Sequence, residues 1–434
     1  MFFLIETDEQ LREFQSKNFE EVFVEFILYN DNVHPILNNI SSIYIRPLYA
    51  KKGYLATISH NEALSCDINT IFALLQNYNR IFARNKKLIS HFYKGNNILD
   101  ISILNPDLNI STNSPIHNFY YSKYKNIKDI NTIIPIVKQY ERWEEIYTKI
   151  EPIIKEAKIP TSYNLFNDEG VKVFTEIEKQ GIKINPNIFH SKFELTNVDN
   201  SVKDNIVYTE YNLNTITKRP SNCFNNVNFA ALNKTDGSKK SFIPRNDMFV
   251  EIDYKAYHIY LLAQLIGYEI KRDIYEELGE FLGIEDYNEV KQKTFGILYT
   301  NQIYSYLHIE FFKKVQEFKS NLWSQIQKQQ YPEEYLIDWK HLVKPTQLLP
   351  YILQNIETEH NIKILGKVIN YLKEKNSKVV LYTYDSFLID FSKSDGKQTL
   401  DELIVICKND YFKLNIKAGK NLGELENFGI FLYL

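Results

Sequence analysis

Two short apolar runs, each with an aspartate at its edge, constrain this chain more than any other feature. The first is Met248-Phe249-Val250-Glu251-Ile252-Asp253-Tyr254, and the second is Val379-Val380-Leu381-Tyr382-Thr383-Tyr384-Asp385-Ser386-Phe387-Leu388-Ile389. Their length and their β-branched and aromatic content read as strands. A carboxylate delivered by a rigid strand can hold a hard divalent cation through oxygen. Two such carboxylates can share a pair of metals, the minimum equipment for in-line nucleotidyl transfer. Solvated or capping aspartates are also common at strand ends, so the reading depends on what lies between the two runs.

Between them runs Tyr287-Asn288-Glu289-Val290-Lys291-Gln292-Lys293-Thr294-Phe295-Gly296-Ile297-Leu298-Tyr299. It has no proline, and Tyr287, Lys291, Phe295 and Tyr299 recur every four residues, which on a helix places them along one face. A cation with aromatic rings one and two turns further on suits a nucleoside triphosphate, the ammonium meeting phosphates and a ring stacking on the base. A core-facing aromatic stripe would show the same spacing.

The order of these elements resembles that of family A DNA polymerases, the bacterial DNA polymerase I type found in many bacteriophages. Thr217-Lys218-Arg219-Pro220-Ser221 resembles the family's T-G-R-L-S element, and Asn228-Phe229-Ala230-Ala231-Leu232-Asn233 its N-L-Q-N-I-P. Asp253-Tyr254-Lys255-Ala256-Tyr257-His258 falls where motif A reads D-Y-S-Q-I-E, and Lys291, Phe295, Gly296 and Tyr299 match the fingers pattern K-x3-F-G-x2-Y. Gln354-Asn355-Ile356-Glu357 resembles the palm's Q-G-T-A, Tyr384-Asp385-Ser386 falls where motif C reads H-D-E, and Lys417-Ala418-Gly419 resembles the closing V-x-x-G strand. The resemblance spans about residues 205 to 425.

It implies a palm-and-fingers polymerase domain over 208–434, adding deoxynucleotides to a primer 3′-hydroxyl. Asp253, Asp385 and the backbone carbonyl of Tyr254 are implied to bind two Mg²⁺, with Mn²⁺ as an alternative. Lys291 is implied to pair with the triphosphate, Phe295 and Tyr299 to bound the nascent base pair, and His258 to sit against the sugar. Lys218, Arg219, Lys239, Lys240 and Gln354 are the expected DNA contacts. The expected partners are primer-template DNA, deoxynucleoside triphosphates, and a processivity factor or other replisome proteins.

Several departures bear on substrate choice. His258 replaces the glutamate that crowds the sugar 2′ position in the family. Asp385-Ser386 is also the pair found in the related single-subunit RNA polymerases. Tyr287 replaces an arginine one turn before Lys291, and Thr300 replaces the glycine after Tyr299. None removes a metal ligand. A ribonucleotide-using polymerase or primase on the same palm is therefore an alternative, as is a non-catalytic DNA-binding replisome protein.

The first half reads as a separate domain over 1–150. Glu21 to Tyr29, Ser42 to Tyr49 and Arg80 to Ala83 read as strands, and Asn69 to Arg80 has helical spacing. The family places a 3′–5′ exonuclease of ribonuclease H-like α/β fold here, with four acidic residues holding two metals. This chain offers Glu25-Phe26-Ile27 for Asp-x-Glu, and Asn85-Lys86-Lys87-Leu88-Ile89 with isoleucine where the family has aspartate. Asp100 remains, and Tyr140 and Glu144 stand where Tyr-x3-Asp is expected. A hydrophobic side chain cannot ligate magnesium, so the domain is expected to be a degenerate exonuclease without proofreading activity.

From Ile133 to Ala157 and from Glu169 to Gln180 the pattern is helical, with Gly181 as a stop. Only about 30 residues separate Asn185 from Thr217, far fewer than the family's thumb. The stretch 151–207 is expected to be a helical connector with a missing or minimal thumb, giving weak grip on duplex DNA. The fold class is thus α/β and α+β, multidomain.

At 434 residues the chain is long enough for two or three domains. Apolar content of 44% and charged content of 24% mark an ordinary globular protein, and a net charge of −3 argues against a generally basic nucleic-acid binder. Local charge differs: Thr217 to Arg245 holds Lys218, Arg219, Lys234, Lys239, Lys240 and Arg245 against Asp236 alone. Phosphate contact needs only such a basic stripe. Cys66, Cys223 and Cys407 are far apart, which indicates neither a disulfide framework nor a zinc site. The N-terminus lacks the features of a signal peptide, and no apolar run is long enough for a membrane span. A cytoplasmic protein is expected, in the host cytoplasm if phage-encoded.

Overall fold

The computed structural model describes residues 3–104, 119–120, 122–124, 127–193, 199–222, 227–233, 235–342, 344–408 and 413–427. Cys223 and Lys234 lie outside the described residues. The chain divides into two units, one of residues 1–159, 166–214 and 222–231, the other of 160–165, 215–221 and 232–434.

In the first unit, β1 (Leu4–Ile5), β2 (Glu21–Leu28), β3 (Ile40–Pro47), β4 (Tyr54–Thr57), β5 (Arg80–Ala83) and β6 (Ile98–Asp100) form one sheet in the order β1-β4-β3-β2-β5-β6. Strands β2, β3 and β4 are an antiparallel meander, while β5 runs parallel to β2 and β6 parallel to β5. Both faces of the sheet are covered, which explains why β2 reads as an almost unbroken apolar run. Val22, Val24 and Phe26 pack on Leu11 and Phe14 of α1 (Asp8–Gln15) and on Ile71 and Leu74 of α2 (Ile68–Gln76). The alternate positions Phe23 and Ile27 pack beneath Tyr140, Trp143, Tyr147 and Ile150.

Helix α3 (Lys86–Ser90) follows β5, and α4 (Ile136–Glu156) supplies the aromatic face just named. Burying one such aromatic or aliphatic side chain is worth about 1.5–3 kcal/mol. Helix α5 (Val171–Gln180) ends at Gly181, whose φ is +61°. A Cβ at Gly181 would lie 2.5 Å from the Ile206 side chain and 2.9 Å from the Tyr208 ring, so the stop needs glycine for both conformation and space. The following short strand Ile182–Ile184 pairs with Ile206–Val207.

The second unit is built on an antiparallel sheet. Its centre is β7 (Met248–Tyr254), followed by the helices α6 (Tyr257–Leu265), α7 (Ile274–Leu282), α8 (Tyr287–Tyr299), α9 (Glu310–Gln327) and α10 (Leu348–Tyr371). Then come β8 (Lys378–Thr383), β9 (Ser386–Phe391), α11 (Gly396–Cys407), β10 (Leu414–Gly419) and β11 (Glu426–Asn427), and the strand order is β8-β9-β7-β10-β11. Helices α9 and α10 meet through Leu322, Ile326, Leu348 and Ile352, with Trp339 packed among them. Among the described residues no helix is long and apolar enough to cross a membrane.

One element differs from its sequence reading. The run Val379 to Ile389 is not one strand but the two arms of a hairpin, with Thr383 paired to Ser386 and only Tyr384 and Asp385 in the turn. Tyr384 adopts φ +62°, the positive φ that a two-residue hairpin loop requires and that glycine or asparagine usually supplies. The turn was hidden because its positive-φ position is held by Tyr384, an aromatic residue that normally favours strands.

Candidate active site

Period-two alternation along β7 decides which side chains reach solvent. Val250, Ile252 and Tyr254 are buried, while Glu251 and Asp253 line an open cleft of about 810 Å³. Tyr254 sends its hydroxyl to the Cys407 carbonyl at 2.9 Å, so only its main chain is available to the cleft. Asp253 lies opposite Ser386 of β9 and Asn415 of β10. That register puts it beside the hairpin turn, where the Tyr254 N–H donates to the Asp385 carbonyl at 3.0 Å. Residues 132 positions apart in sequence thus meet in one cleft because two antiparallel strands are in register.

The turn itself is strained and then held. Positive φ at a non-glycine residue costs on the order of 1 kcal/mol or more. Two contacts oppose that cost: the Arg219 guanidinium lies 3.7 Å from the centroid of the Tyr384 ring, and the Asn361 amide donates to the Tyr384 carbonyl at 2.7 Å. Asn361 is fully buried on α10, donates also to the Tyr382 hydroxyl at 3.3 Å, and accepts from the Tyr257 hydroxyl at 3.0 Å. Asn361→Ala is expected to lower stability by about 2 kcal/mol, since it strands buried groups, and to loosen the turn that carries Asp385. Thermal denaturation together with hydrogen exchange across 382–387 checks this; unchanged protection at the turn would contradict it.

Both aspartates hold protons more tightly than usual. Burial, then the charges of Asp385 and Glu251, raises Asp253 to about 6, against the opposing pull of Lys417. Burial, then Glu357, raises Asp385. Carboxylates that line one cleft and raise proton affinity in this way are relieved by a dication, so Asp253, Asp385 and the Tyr254 carbonyl are the oxygen donors that could hold Mg²⁺ or Mn²⁺. Among the described residues no group of three or more His, Cys, Asp or Glu is arranged as a metal site.

The helical stripe expected from sequence faces outward. Helix α8 is capped by Asp286, which accepts from the Glu289 N–H at 2.8 Å, and its buried face is Val290, Thr294, Ile297 and Leu298. Lys291, Phe295 and Tyr287 line the cleft instead, so the stripe is not core. The Phe295 and Tyr299 rings stack with centroids 5.6 Å apart. Tyr299 does not line the cleft, and burial pushes its hydroxyl up to about 12, with Arg219 opposing and Glu357 adding to the shift.

Arg219, His258 and Lys239 also line the cleft. The other expected DNA contacts do not. Lys218 is 3% exposed, with φ +62°, and so is not a surface cation. Lys240 is exposed but paired with Glu424 at 2.5 Å. Gln354 accepts from the Thr217 hydroxyl at 3.0 Å, and the neighbouring Asn355 amide donates to the Thr217 carbonyl at 3.1 Å. Gln354 and Asn355 thereby fasten the 215–221 segment, placing Arg219.

Glu357 is the residue that the sequence reading quoted without giving it a role. It is fully buried yet lines the cleft floor, and it binds Arg219 (Nε to Oε2, 3.3 Å) and His258 (Nε2 to Oε2, 2.9 Å). His258 is thus oriented by an acid rather than facing open space. A signal was present: Gln354, Glu357, Thr358 and Asn361 form a polar stripe at helical spacing through an otherwise apolar α10.

The fold is similar to that of a DNA polymerase domain. In particular, the structure is similar to the POL domain of Pol1 from M. smegmatis, solved in complex with DNA primer-template and dNTP. The TM-score is 0.64 at 10% identity, with 95% of this chain and 98% of that chain covered. No protein-family model matches the sequence, and no curated protein does.

Proposed function

We propose that this chain is a template-directed DNA polymerase that extends a primer 3′-hydroxyl with deoxynucleotides. The observation that carries the reading is the meeting of Asp253 and Asp385, both with raised proton affinity, in one cleft with the exposed Lys291. The likeness to a polymerase domain captured with primer-template and dNTP supports it.

In this reading Asp253, Asp385 and the Tyr254 carbonyl hold two Mg²⁺, which supply activation of the primer hydroxyl and neutralisation of charge on the triphosphate and pyrophosphate. Lys291 pairs with the phosphates of the incoming nucleotide, and Phe295 stacks against its base, backed by Tyr299. His258, oriented by Glu357, sits against the sugar, and Arg219 contacts the primer-template near the terminus. The test is extension of a labelled primer with Mg²⁺ and all four dNTPs. No extension despite template binding would refute the reading in favour of a scaffold. Lys291→Ala is expected to reduce kcat/KM for dNTP by about 10²-fold, the scale of losing one preorganised charge partner of the transition state; an unchanged value in single-nucleotide kinetics would remove Lys291 from this role.

The first unit is proposed to be a ribonuclease H-like exonuclease scaffold without nuclease activity. Its strand order, a three-stranded antiparallel meander extended by two parallel strands, supports that assignment. Each carboxylate at a nuclease-like position is already committed. Glu25 takes a two-pronged contact from Arg84, at 3.1 and 3.2 Å. Glu144 accepts from Tyr44 at 2.6 Å, from Gly53 N–H at 2.7 Å and from Arg46 at 2.9 Å. Asp100 is 3% exposed, accepts from the Lys86 and Ser102 N–H groups at 2.8 and 2.9 Å, and is raised by burial to about 7. A guanidinium beside Glu25 supplies the positive charge a metal would bring, without its Lewis acidity. A 5′-labelled single strand incubated with Mg²⁺ is expected to remain full length; shortening from the 3′ end, abolished by Glu25→Gln, would contradict this.

A further inference from the structure

Tyr49 occupies a position that protein folding alone gives little reason to choose. It is 79% exposed, the highest of the exposed large apolar side chains among the described residues, and its φ is +68°. A tyrosine there carries both backbone strain and a ring in water, a pairing that points to use rather than stability.

The loop that presents it is pinned at both ends. Leu48 N–H donates to the Glu21 carbonyl at 3.0 Å, and Ala50 N–H closes a turn on the Pro47 carbonyl at 3.2 Å. At the far end Gly53 N–H donates to Glu144 at 2.7 Å, and the Gly53 carbonyl accepts from the Tyr140 hydroxyl at 3.2 Å. A Cβ at Gly53 would come within 2.5 Å of the Tyr44 hydroxyl, so the loop is seated as closely as its glycine permits. The ring is therefore held out by a rigid frame.

Around it the charge has one sign on the loop. Lys51 and Lys52 are exposed, and Lys155 from α4 places its ammonium 6.0 Å from the Tyr49 ring centroid while pairing with Glu151 at 3.0 Å. A flat exposed ring with one ammonium 6.0 Å from its centroid and two exposed lysines close by in the same loop is what an unpaired base and its flanking phosphates need. An acidic protein surface would require only the lysines, and a membrane surface would require more apolar area than one ring.

We propose that Tyr49, with Lys51, Lys52 and Lys155, forms a stacking platform for single-stranded nucleic acid on the first unit. The ring stacks on one base, and the lysines meet the phosphates on either side of it. Nothing in this depends on the polymerase reading.

The test uses the full chain and a 12-nucleotide oligothymidylate carrying 5-iododeoxyuridine. Photocrosslinking followed by peptide mass spectrometry is expected to mark Tyr49, and unlabelled single strand is expected to compete where duplex does not. In anisotropy titrations Tyr49→Leu is expected to weaken binding about 5- to 10-fold, and Tyr49→Phe to retain it, since the ring supplies the stacking. Lys51→Ala/Lys52→Ala is expected to reduce the salt slope by about 1.4, because two lysines no longer neutralise single-strand phosphates. An oligouridylate run in parallel assigns the platform to RNA if it binds more tightly and to DNA otherwise. Crosslinks that avoid Tyr49, wild-type affinity in Tyr49→Leu, or equal competition by polyglutamate would each overturn the proposal. Because the crosslink reads binding alone, failure of primer extension would leave it standing.

Discussion

Asp385→Asn is expected to lower Mg²⁺-dependent primer extension by about three orders of magnitude or more, which is roughly 4 kcal/mol of transition-state stabilisation. The substitution keeps the size and shape of the side chain in a turn already fixed by the Asn361 and Arg219 contacts to Tyr384. It removes one negative charge from a cleft where Glu357 and Asp253 already repel Asp385. Folding should therefore be undisturbed, and the melting temperature equal to or slightly above that of the wild type. Loss of catalysis with retained stability is the combination that separates a ligand from a structural acid. Single-turnover extension of a saturating primer-template, run beside a thermal melt, reads both quantities. Extension by Asp385→Asn within tenfold of the wild-type rate would remove Asp385 from the proposed metal pair.

The largest effect on stability is expected at Glu178, in the first unit. Its side chain is fully buried on α5 and accepts from the Lys87 ammonium at 2.7 and 2.9 Å and from the Tyr211 N–H at 2.6 Å. His91 Nε2 lies 2.8 Å away. Burial alone would raise its pKa, but Lys87 and His91 hold it down to about 2. Glu178→Gln leaves the Lys87 ammonium buried without its counter-charge, and is expected to destabilise the unit by about 3–5 kcal/mol. The sign with pH follows from the depressed value. The stabilisation is fully present above the unfolded carboxylate range near 4.5, and it is lost as pH falls toward 2. Denaturation midpoints of wild type and Glu178→Gln should therefore converge below about pH 4.5. His34, lowered to about 4 chiefly by burial, works in the same direction, since its neutral form is the one the fold accepts. A gap that stays constant from pH 7 to pH 3 would show that Glu178 acts by packing and not by charge.

Much of the second unit was legible because its signals are local. The apolar run before Asp253 and the four-residue spacing from Tyr287 to Tyr299 both depend on residues within a few positions of one another. The structure forms β7 over Met248–Tyr254 and α8 over Tyr287–Tyr299, as those patterns predict. The same holds for β2, β3, α2 and β5 in the first unit, whose boundaries fall within a few residues of the runs read from sequence. Gly181 was readable as a stop because it directly follows a helical run, and the structure ends the helix there with φ +61°.

What local pattern could not supply was the pairing of distant groups and the cost of burying them. Lys218 reads as a DNA-facing cation next to Arg219, yet it is 3% exposed, because the Gln354 and Asn355 contacts to Thr217 set the orientation of that segment. Asp100 reads as the one nuclease-type carboxylate that remains, with Glu25 and Glu144 standing at departed positions; only the tertiary contacts reveal that backbone amides, Arg84 and Arg46 already occupy their oxygens. The polar stripe on α10 marks Glu357 as unusual but not its partners, since its role arises when Arg219 and His258 converge on it from elsewhere in the chain. Periodicity and residue type specify which segments become strands and helices, because those depend on the nearest turns of backbone. Register between strands 132 residues apart, and the burial that raises Asp253 and Asp385, exist only once the chain has closed on itself.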